Sequence, residues 1–317
     1  MTRPYVPPGM HPIETGRYLL ATPVVDRLFE VVSDWFEERA TGGIIYGRPR
    51  FGKTRAIKYL MNVFPIKFGV NVPVYNIKCK QYKRVNEGTF FEDLLNDIGH
   101  GFPFSNKTSV KRDRLQKYLI EKADASGLKR VVFFMDDAQR LVDIQYDWLM
   151  DIYNELDDHG ITMSVFLVGQ PELEAQRSSF ISAHKYQIVG RFMVRQEEFK
   201  GLTNIEEIRS CLTGYDEDCE YPENSGWSFT RYFFPEAYED GEKLENCAGD
   251  LIVAFDLVRK EAGIFNSFEL PMKYLTTSIE YCLKKFGANG LNEYWPTQSH
   301  WKEAIEKSGY KESEFFL

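Results

Sequence analysis

The stretch Gly47-Arg48-Pro49-Arg50-Phe51-Gly52-Lys53-Thr54 follows the pattern G-x-x-x-x-G-K-[ST]. The apolar segment Ile44-Ile45-Tyr46 comes directly before it, and a segment with helical periodicity follows it. A strand, a glycine-containing turn and a helix in this order form a phosphate-binding loop, because the backbone N–H groups and the helix N-terminus attract phosphate oxygens. The alternative is that Gly47 and Gly52 only shape a tight turn.

The last two residues of this loop have the chemistry that binds a nucleoside triphosphate. Lys53 would reach the β- and γ-phosphates of ATP, and the Thr54 hydroxyl would be a ligand of Mg²⁺. The sequence therefore predicts ATP and Mg²⁺ as cofactors, with residues 47–54 in contact with the nucleotide.

A second half of the site follows the apolar run Val131-Val132-Phe133-Phe134-Met135, which has no alternation and is typical of a strand covered on both faces. Asp136 and Asp137 come next, at the strand end where α/β folds bind ligands. We expect Asp136 to hold Mg²⁺, directly or through water, and Asp137 to act as general base toward the attacking water. The alternative is that Asp137 caps a helix that begins at Ala138.

Strand-like and helix-like segments alternate along the first two thirds of the chain. This alternation predicts βαβ units and a parallel sheet, and hence an α/β three-layer sandwich of the P-loop NTPase type. The predicted strands are 44–46, 72–79, 131–135 and 163–168, and the predicted helices are 23–38, 54–63, 89–98, 111–122, 143–158, 251–262 and 271–286.

Composition excludes several classes of protein. Apolar residues make up 43% of the 317 residues and charged residues 27%, as in soluble globular proteins. No stretch approaches the ~20 consecutive apolar residues of a membrane helix. Residues 1–16 contain four prolines and no apolar segment, so we expect no signal peptide and a cytoplasmic protein. The five cysteines form no C-x-x-C pair, which argues against a disulfide framework or a zinc site.

Changes in character along the chain predict four regions. An extended N-terminal arm (1–22), kept irregular by its prolines, precedes a nucleotide-binding α/β domain (23–205). An acidic, aromatic and irregular insertion (206–245) and a small helical lid with a C-terminal partner-binding region (246–317) follow. The aromatic residues of the last two regions either dock partner proteins or pack against the lid; they are Trp227, Tyr232, Phe233, Phe234, Tyr294, Trp295 and Trp301.

Four motifs come in the order in which AAA+ ATPases carry them. They are the loop at 47–54, Phe-Phe-Met-Asp-Asp-Ala-Gln-Arg-Leu at 133–141, Phe-Leu-Val-Gly-Gln-Pro-Glu-Leu at 166–173 and Val-Gly-Arg-Phe at 189–192. Over residues 23–262 the chain resembles the TnsC/TniB group, AAA+ ATPases that regulate DNA transposition, and more distantly the MuB and ExeA ATPases. The first two motifs are specific to P-loop NTPases, and the last two, with the small lid, indicate this group.

The resemblance implies two further catalytic residues. Gln170 follows a buried strand, where the family has a sensor residue that orients water or the γ-phosphate. Arg191 matches the family's arginine finger, which stabilises charge on the phosphoryl group of a neighbouring subunit's ATP. The alternatives are that Arg191 forms a surface salt bridge, or that Arg177 or Arg195 is the finger. A finger acting on a neighbour implies self-association into a ring or a helical filament.

The chain departs from the family pattern at two places. AAA+ ATPases usually have Glu where this chain has Asp137, and a carboxylate displaced by about 1 Å can slow a reaction ~10²-fold. We therefore expect slow hydrolysis or a nucleotide-locked state. The lid segment Cys247-Ala248-Gly249-Asp250 and the helix after it contain no clear sensor arginine.

Two basic segments follow the second predicted strand, Lys78-Cys79-Lys80-Gln81-Tyr82-Lys83-Arg84 and residues 107–114. The net charge of −8 does not exclude DNA binding, because a local basic strip is enough to neutralise phosphates. The resemblance implies that these segments contact the backbone of double-stranded DNA without sequence specificity, through Lys80, Lys83, Lys107 and Thr108. The alternative is that each run is a solvated helix face.

Three functions stay open from the sequence. The first is an ATP-dependent, DNA-binding regulator that oligomerises on target DNA and recruits or activates a transposase, together with target-selector proteins. The second is an ExeA-like or signalling ATPase without a DNA role. The third is a nucleotide-gated scaffold that binds ATP and hydrolyses little of it.

Overall fold

The chain forms two compact units in a computed structural model that describes residues 2–68 and 71–314. The sheet unit comprises Arg27–Pro49 and Lys53–Phe199. The helical unit comprises residues 2–26, 50–52 and 200–314. The outermost ends of the predicted N-terminal arm and C-terminal region, residues 1 and 315–317, lie outside the described residues, as do residues 69 and 70.

The sheet unit is built on five parallel strands in the order β2-β3-β4-β1-β5. Four of the strands come from the predicted apolar segments, since each must be covered on both faces in a parallel sheet. The strands are β1 (Gly42–Tyr46), β2 (Val74–Lys78), β3 (Arg130–Asp136), β4 (Thr162–Gly169) and β5 (Arg195–Glu198).

Helices cover both faces of this sheet. On one face the rings of Trp35 and Phe166 lie 5.8 Å apart, and those of Phe36 and Phe64 lie 5.1 Å apart. On the other face, buried residues of the remaining helices form a continuous core with alternate strand residues such as Phe133. The α/β three-layer sandwich with a parallel sheet is therefore confirmed. The helices are α2 (Pro23–Glu37, which begins in the helical unit), α3 (Lys53–Phe68), α4 (Glu87–Asp97), α5 (Thr108–Ser126), α6 (Asp143–Asp158), α7 (Glu172–Ser182) and α8 (Tyr186–Phe192).

The helical unit is described by itself. Its N-terminal segment contains α1 (Pro12–Thr15), and two isolated β-bridges join Leu202 to Leu270 and Glu220 to Ser228. None of the helices within residues 2–68 and 71–314 combines the length and apolarity that crossing a membrane requires. The other helices of this unit are α9 (Ile205–Thr213), α10 (Phe229–Phe233), α11 (Pro235–Glu239), α12 (Ala248–Glu261), α13 (Met272–Phe286), α14 (Gln298–Ser308) and α15 (Tyr310–Glu314).

Several element boundaries differ from the prediction, each for a local reason. The α4 helix begins two residues early, because the Asn86 side chain accepts a hydrogen bond from the Thr89 N–H at 3.0 Å and caps it. The α3 helix continues past Pro65, where the rings of Phe64 and Phe68 pack 4.9 Å apart. The β5 strand was not predicted, because Arg-Gln-Glu-Glu has no apolar signal and pairs only with β1 at the edge of the sheet.

Two predictions about irregular segments were wrong. The prolines do not keep all of residues 1–22 irregular: α1 starts at Pro12, which suits a first helical position, and the His11 side chain caps it. Region 206–245 contains α9, α10, α11 and a π-helical turn at Gly214–Asp218. Its aromatic residues pack internally, since Trp227, Tyr232, Phe233 and Phe234 are each less than 5% exposed, and Trp301 in the tail is buried as well, whereas Tyr294 in the tail is 53% exposed.

Candidate functional site

The C-terminal edge of the sheet brings the predicted nucleotide-site residues together. Because β4 lies between β1 and β3, the segments that leave these strands meet at one edge. Residues 47–54 follow β1, Asp136 and Asp137 end β3 and continue from it, and Gln170 follows β4. The predicted grouping of loop, acidic pair and sensor position is therefore present in the fold.

Glycines shape the loop where larger residues would clash. A Cβ atom at Gly47 would lie 2.2 Å from the carbonyl oxygen of Phe199, so this position requires glycine. Gly52 has φ of +104°, a conformation that side chains with Cβ rarely adopt. The two glycines thus allow the tight turn of this loop.

Lys53 points into the loop. Its Nζ donates to the carbonyl oxygens of Gly47 at 2.6 Å and Arg48 at 2.7 Å. Burial lowers the pKa of Lys53 to about 8, an effect that attraction to Asp136 and Asp137 partly offsets. The ammonium is thus held where a triphosphate would lie, at a pKa that leaves it mostly charged at neutral pH.

Thr54 and Asp136 meet across the mouth of the site. The Thr54 hydroxyl donates to Asp136 Oδ2 at 2.8 Å. Burial raises the pKa of Asp136, while the hydrogen bond from Thr54 opposes that shift. A hydroxyl and a carboxylate this close form a hard-oxygen pair that fits Mg²⁺, which takes few protein ligands and completes its shell with phosphates and water. The described residues contain no group of three or more His, Cys, Asp or Glu side chains that could hold a metal ion.

Asp137 lies directly after Asp136 in a left-handed conformation, with φ of +58°. Such a conformation is uncommon for a residue with Cβ and often marks a functional position. Its carboxylate lies 3.1 Å from the Arg140 guanidinium and accepts a hydrogen bond from Gln139 Nε2 at 3.3 Å. The candidate base therefore has two local partners in the turn that follows β3.

Gln139 is a site residue that the sequence analysis missed. Besides its bond to Asp137, its Oε1 accepts a hydrogen bond from the backbone N–H of Gln170 at 3.3 Å. One side chain therefore connects the candidate base to the candidate sensor position. The only signal in the sequence was its place two residues after Asp137 in the second motif.

Residues 50–52 of the loop group with the helical unit. There Arg50 Nη1 donates to the Tyr274 hydroxyl at 2.6 Å, and the Lys273 N–H donates to the Arg50 carbonyl at 3.2 Å. Arg50 also has a left-handed backbone, with φ of +69°. Its side chain is thus held by the start of α13.

The arginine-finger candidate Arg191 lies in the last turn of α8. Its Nη1 donates to Asn154 Oδ1 at 2.8 Å, and its guanidinium carbon lies 4.5 Å from the centre of the Tyr153 ring. Both partners are uncharged, and no ion pair involves Arg191 within the described part of the chain. The surface salt-bridge alternative for this residue therefore finds no partner there.

The two fallback arginines have structural partners. Arg177 Nε donates to the carbonyl oxygen of Met193 at 2.8 Å. Arg195, in the edge strand β5, forms an ion pair with Glu38 at 2.5 Å.

The candidate DNA contacts lie on two segments of the sheet unit between β2 and α5. Lys80 Nζ lies 2.6 Å from Asp93 Oδ1 on α4, and the Tyr82 hydroxyl donates to the same carboxylate. Lys83 is exposed in the same loop. Lys107 is exposed at the N-cap of α5, and Thr108 is the first residue of that helix.

Comparisons with known proteins agree on the fold. Residues 37–176 match a family model described as an AAA domain. No curated protein matches the chain at a significant level.

Solved structures with the same architecture cover most of this chain. The ADP form of the ORC2 protein of Aeropyrum pernix has a TM-score of 0.58 at 11% identity, over 96% of this chain and 70% of its own. Drosophila ORC bound to DNA has a TM-score of 0.54 at 12% identity, over 93% of this chain and 68% of its own. The ORC1 protein of Aeropyrum pernix in complex with DNA has a TM-score of 0.53 at 14% identity, over 90% of this chain and 64% of its own. This chain therefore spans about two thirds of the length of these structures. The chain therefore has the P-loop AAA+ fold, with an AAA domain matched at residues 37–176.

Proposed function

We propose that this chain is an ATP-dependent, DNA-binding AAA+ regulator of DNA transposition, which oligomerises on target DNA and recruits or activates a transposase. The nucleotide part rests on one observation, the 2.8 Å contact between Thr54 and Asp136 beside the Lys53 loop. The DNA and transposition parts rest on the motif resemblance to the TnsC/TniB group.

Binding of ATP uses the loop and its lysine. Lys53 exchanges the carbonyl oxygens of Gly47 and Arg48 for the β- and γ-phosphates, and the loop N–H groups and the start of α3 hold the remaining oxygens. Thr54 and Asp136 would hold Mg²⁺, which would supply positive charge to neutralise the phosphates.

Hydrolysis depends on Asp137. Its carboxylate accepts a proton from the attacking water, while Gln139 and Arg140 fix its direction. The Arg140 guanidinium also competes for this carboxylate, which favours slow turnover. The same contact supports the third function that the sequence leaves open, a nucleotide-gated scaffold with little hydrolysis.

Self-association of the chain follows from the proposed role of Arg191 as an arginine finger. An arginine with uncharged partners at the surface of the sheet unit is available to stabilise the phosphoryl group on a neighbouring copy. A head-to-tail interface of this kind generates a ring when it closes and a helical filament when it does not.

DNA binding is assigned to Lys80, Lys83, Lys107 and Thr108, with contacts to the phosphate backbone only. Two of the similar structures are named as complexes with DNA. The transposase and target-selector partners follow from the TnsC/TniB resemblance, and an ExeA-like ATPase without a DNA role is the competing proposal.

The deciding experiment measures binding of a labelled mixed-sequence duplex, with and without ATP, over a series of salt concentrations. We expect ATP-stimulated binding that weakens steeply with salt, and helical assemblies on the duplex in electron micrographs. Lys53→Ala should abolish both, because it removes the phosphate contact. Binding of ATP without any binding of DNA would favour the ExeA-like alternative, and nucleotide affinity unaffected by Lys53→Ala would overturn the proposal as a whole.

A further inference from the structure

The loop between α4 and α5 presents two phenylalanines to solvent. Phe102 is 76% exposed and Phe104 is 71% exposed, whereas Pro103 between them is buried. Large exposed apolar side chains that are grouped within a few residues of the chain indicate an interaction site more strongly than single ones do. This pair therefore requires a functional explanation.

The backbone of the loop is held in the arrangement that exposes both rings. Arg114 Nη1 donates to the carbonyl oxygens of Phe102 at 3.0 Å and Phe104 at 2.8 Å. The Phe102 N–H donates to His100 Nδ1 at 3.0 Å, and the His100 ring packs on Tyr118 at 5.3 Å. The two rings are thus presented on an ordered loop, so a partner that binds them meets a preorganised surface.

The chain segment that carries this loop is locally basic, although two of its cations, Lys111 and Arg112, are paired with Glu92 and Glu87 of α4. Asp and Glu account for 47 of the 317 residues, yet neither occurs in 98–112 or in 79–86. Lys107 lies exposed three residues after Phe104, at the start of the 19-residue helix α5. This charge pattern is complementary to a polyanion such as duplex DNA.

We propose that Phe102 and Phe104 form an apolar contact with duplex DNA, in its minor groove, beside the phosphate contacts of Lys107 and Thr108. Apolar wedges of this kind enter the minor groove, partly unstack a base step and bend the duplex. The inference rests on the proposed DNA-binding function and adds to it a contact that carries no charge.

The test separates apolar from electrostatic contacts in the full chain with ATP. For Phe102→Ser/Phe104→Ser we expect about tenfold weaker binding to a mixed-sequence duplex at one salt concentration, with an unchanged slope of log affinity against log salt, since no phosphate contact is lost. Lys107→Ala should instead reduce that slope by about one. A duplex containing 2-aminopurine should gain fluorescence with the wild-type chain and not with the double serine variant.

Two further variants control the result. Phe265→Ser removes a ring that is 85% exposed in the helical unit and should leave DNA binding unchanged. Phe102→Leu/Phe104→Leu keeps apolar side chains and should restore most of the affinity. Equal binding by the double serine variant and the wild type would overturn this inference and leave the proposed function standing.

The alternative occupant of this surface is a second copy of the chain, and a separate measurement would detect it. If the double serine variant loses ATP-dependent assembly in the absence of DNA, measured by sedimentation, the rings contact a second copy of the chain and the inference is wrong. If the wild type binds no DNA at all, the proposed function itself fails.

Discussion

Gln139 joins the ends of two neighbouring strands: its Oε1 accepts the Gln170 N–H at 3.3 Å, while its Nε2 donates to Asp137 at 3.3 Å. The β3 and β4 strands are paired in the sheet, and this side chain extends their connection beyond the last backbone pair, Asp136 with Val168. We therefore propose that Gln139 is a positioning residue, which acts on hydrolysis through the candidate base Asp137 and the candidate sensor residue Gln170.

Replacing Gln139 tests that role. We expect Gln139→Ala to lower kcat for ATP hydrolysis about tenfold and to leave the Kd for ATP unchanged, because a small displacement of the base slows the reaction. Single-turnover hydrolysis and equilibrium nucleotide binding would be measured side by side. Gln139→Glu, which keeps the length but loses the amide donor, should resemble the alanine variant. A loss of affinity with kcat intact would contradict the assignment.

A second prediction concerns Asp137, which stands where AAA+ ATPases usually have the longer Glu. Asp137→Glu should raise the hydrolysis rate by up to about 10²-fold, since one more methylene extends the carboxylate toward the position that AAA+ ATPases usually use. Asp137→Asn serves as the control and should abolish turnover while ATP still binds. If wild type and Asp137→Glu hydrolyse ATP equally fast, the aspartate is no handicap and the slow-switch alternative loses its support.

How far sequence reasoning reaches depends on the kind of signal. Apolar runs such as 131–135 predict buried strands, because burial on both faces requires a continuous apolar pattern. The motif at 47–54 predicts a strand before it and a helix after it. The edge strand Arg195–Glu198 leaves no such pattern. The left-handed backbone of Asp137 and the bridging position of Gln139 arise from the turn after β3, and turn geometry of this kind is not encoded in residue spacing.

The depressed pKa of Lys53, about 8, predicts a pH dependence of nucleotide binding. Below about pH 8 the lysine of the free protein is mostly charged, and above it the proton is lost. Because the ammonium is the form that attracts phosphate, ATP binding at higher pH requires proton uptake, and affinity should fall by up to about tenfold per pH unit.

Titration with a fluorescent ATP analogue from about pH 7 to about pH 9.5 would measure this fall. The control is Lys53→Arg, whose guanidinium stays charged throughout this range. Any affinity that this variant retains should not vary with pH. An affinity of the wild type that is constant across the range would show that Lys53 does not lose its proton there.

The proposed arginine finger, Arg191, predicts complementation between two inactive variants. Arg191→Ala should lower hydrolysis about 10³-fold, because it removes the charge that stabilises the phosphoryl group on a neighbour. Lys53→Ala should also be inactive, since it does not bind ATP. In a mixture, the intact Arg191 of the second variant can serve the intact loop of the first, so part of the activity should return. Arg195→Ala, which loses only the ion pair with Glu38, should retain most activity.

The contact between Lys80 and Asp93 predicts a gain of DNA affinity. Lys80 lies 2.6 Å from a carboxylate that is only 16% exposed, so a DNA phosphate must compete with Asp93 for this ammonium. Asp93→Asn removes the competing charge and still offers an oxygen to the Tyr82 hydroxyl, which keeps the loop in place. We expect about threefold to tenfold tighter duplex binding, and a salt slope steeper by up to one phosphate contact.

The matched control for that variant is Asp113→Asn, which breaks a similar pair with Lys117 at 2.9 Å on α5 and removes the same charge from the chain. A gain with Asp93→Asn alone would indicate that Lys80 itself contacts phosphate, whereas equal gains with both variants would reflect only the change in net charge. Weaker binding by Asp93→Asn would mean that the carboxylate orients Lys80 toward DNA. In that case the pair contributes to the contact surface and does not compete with it.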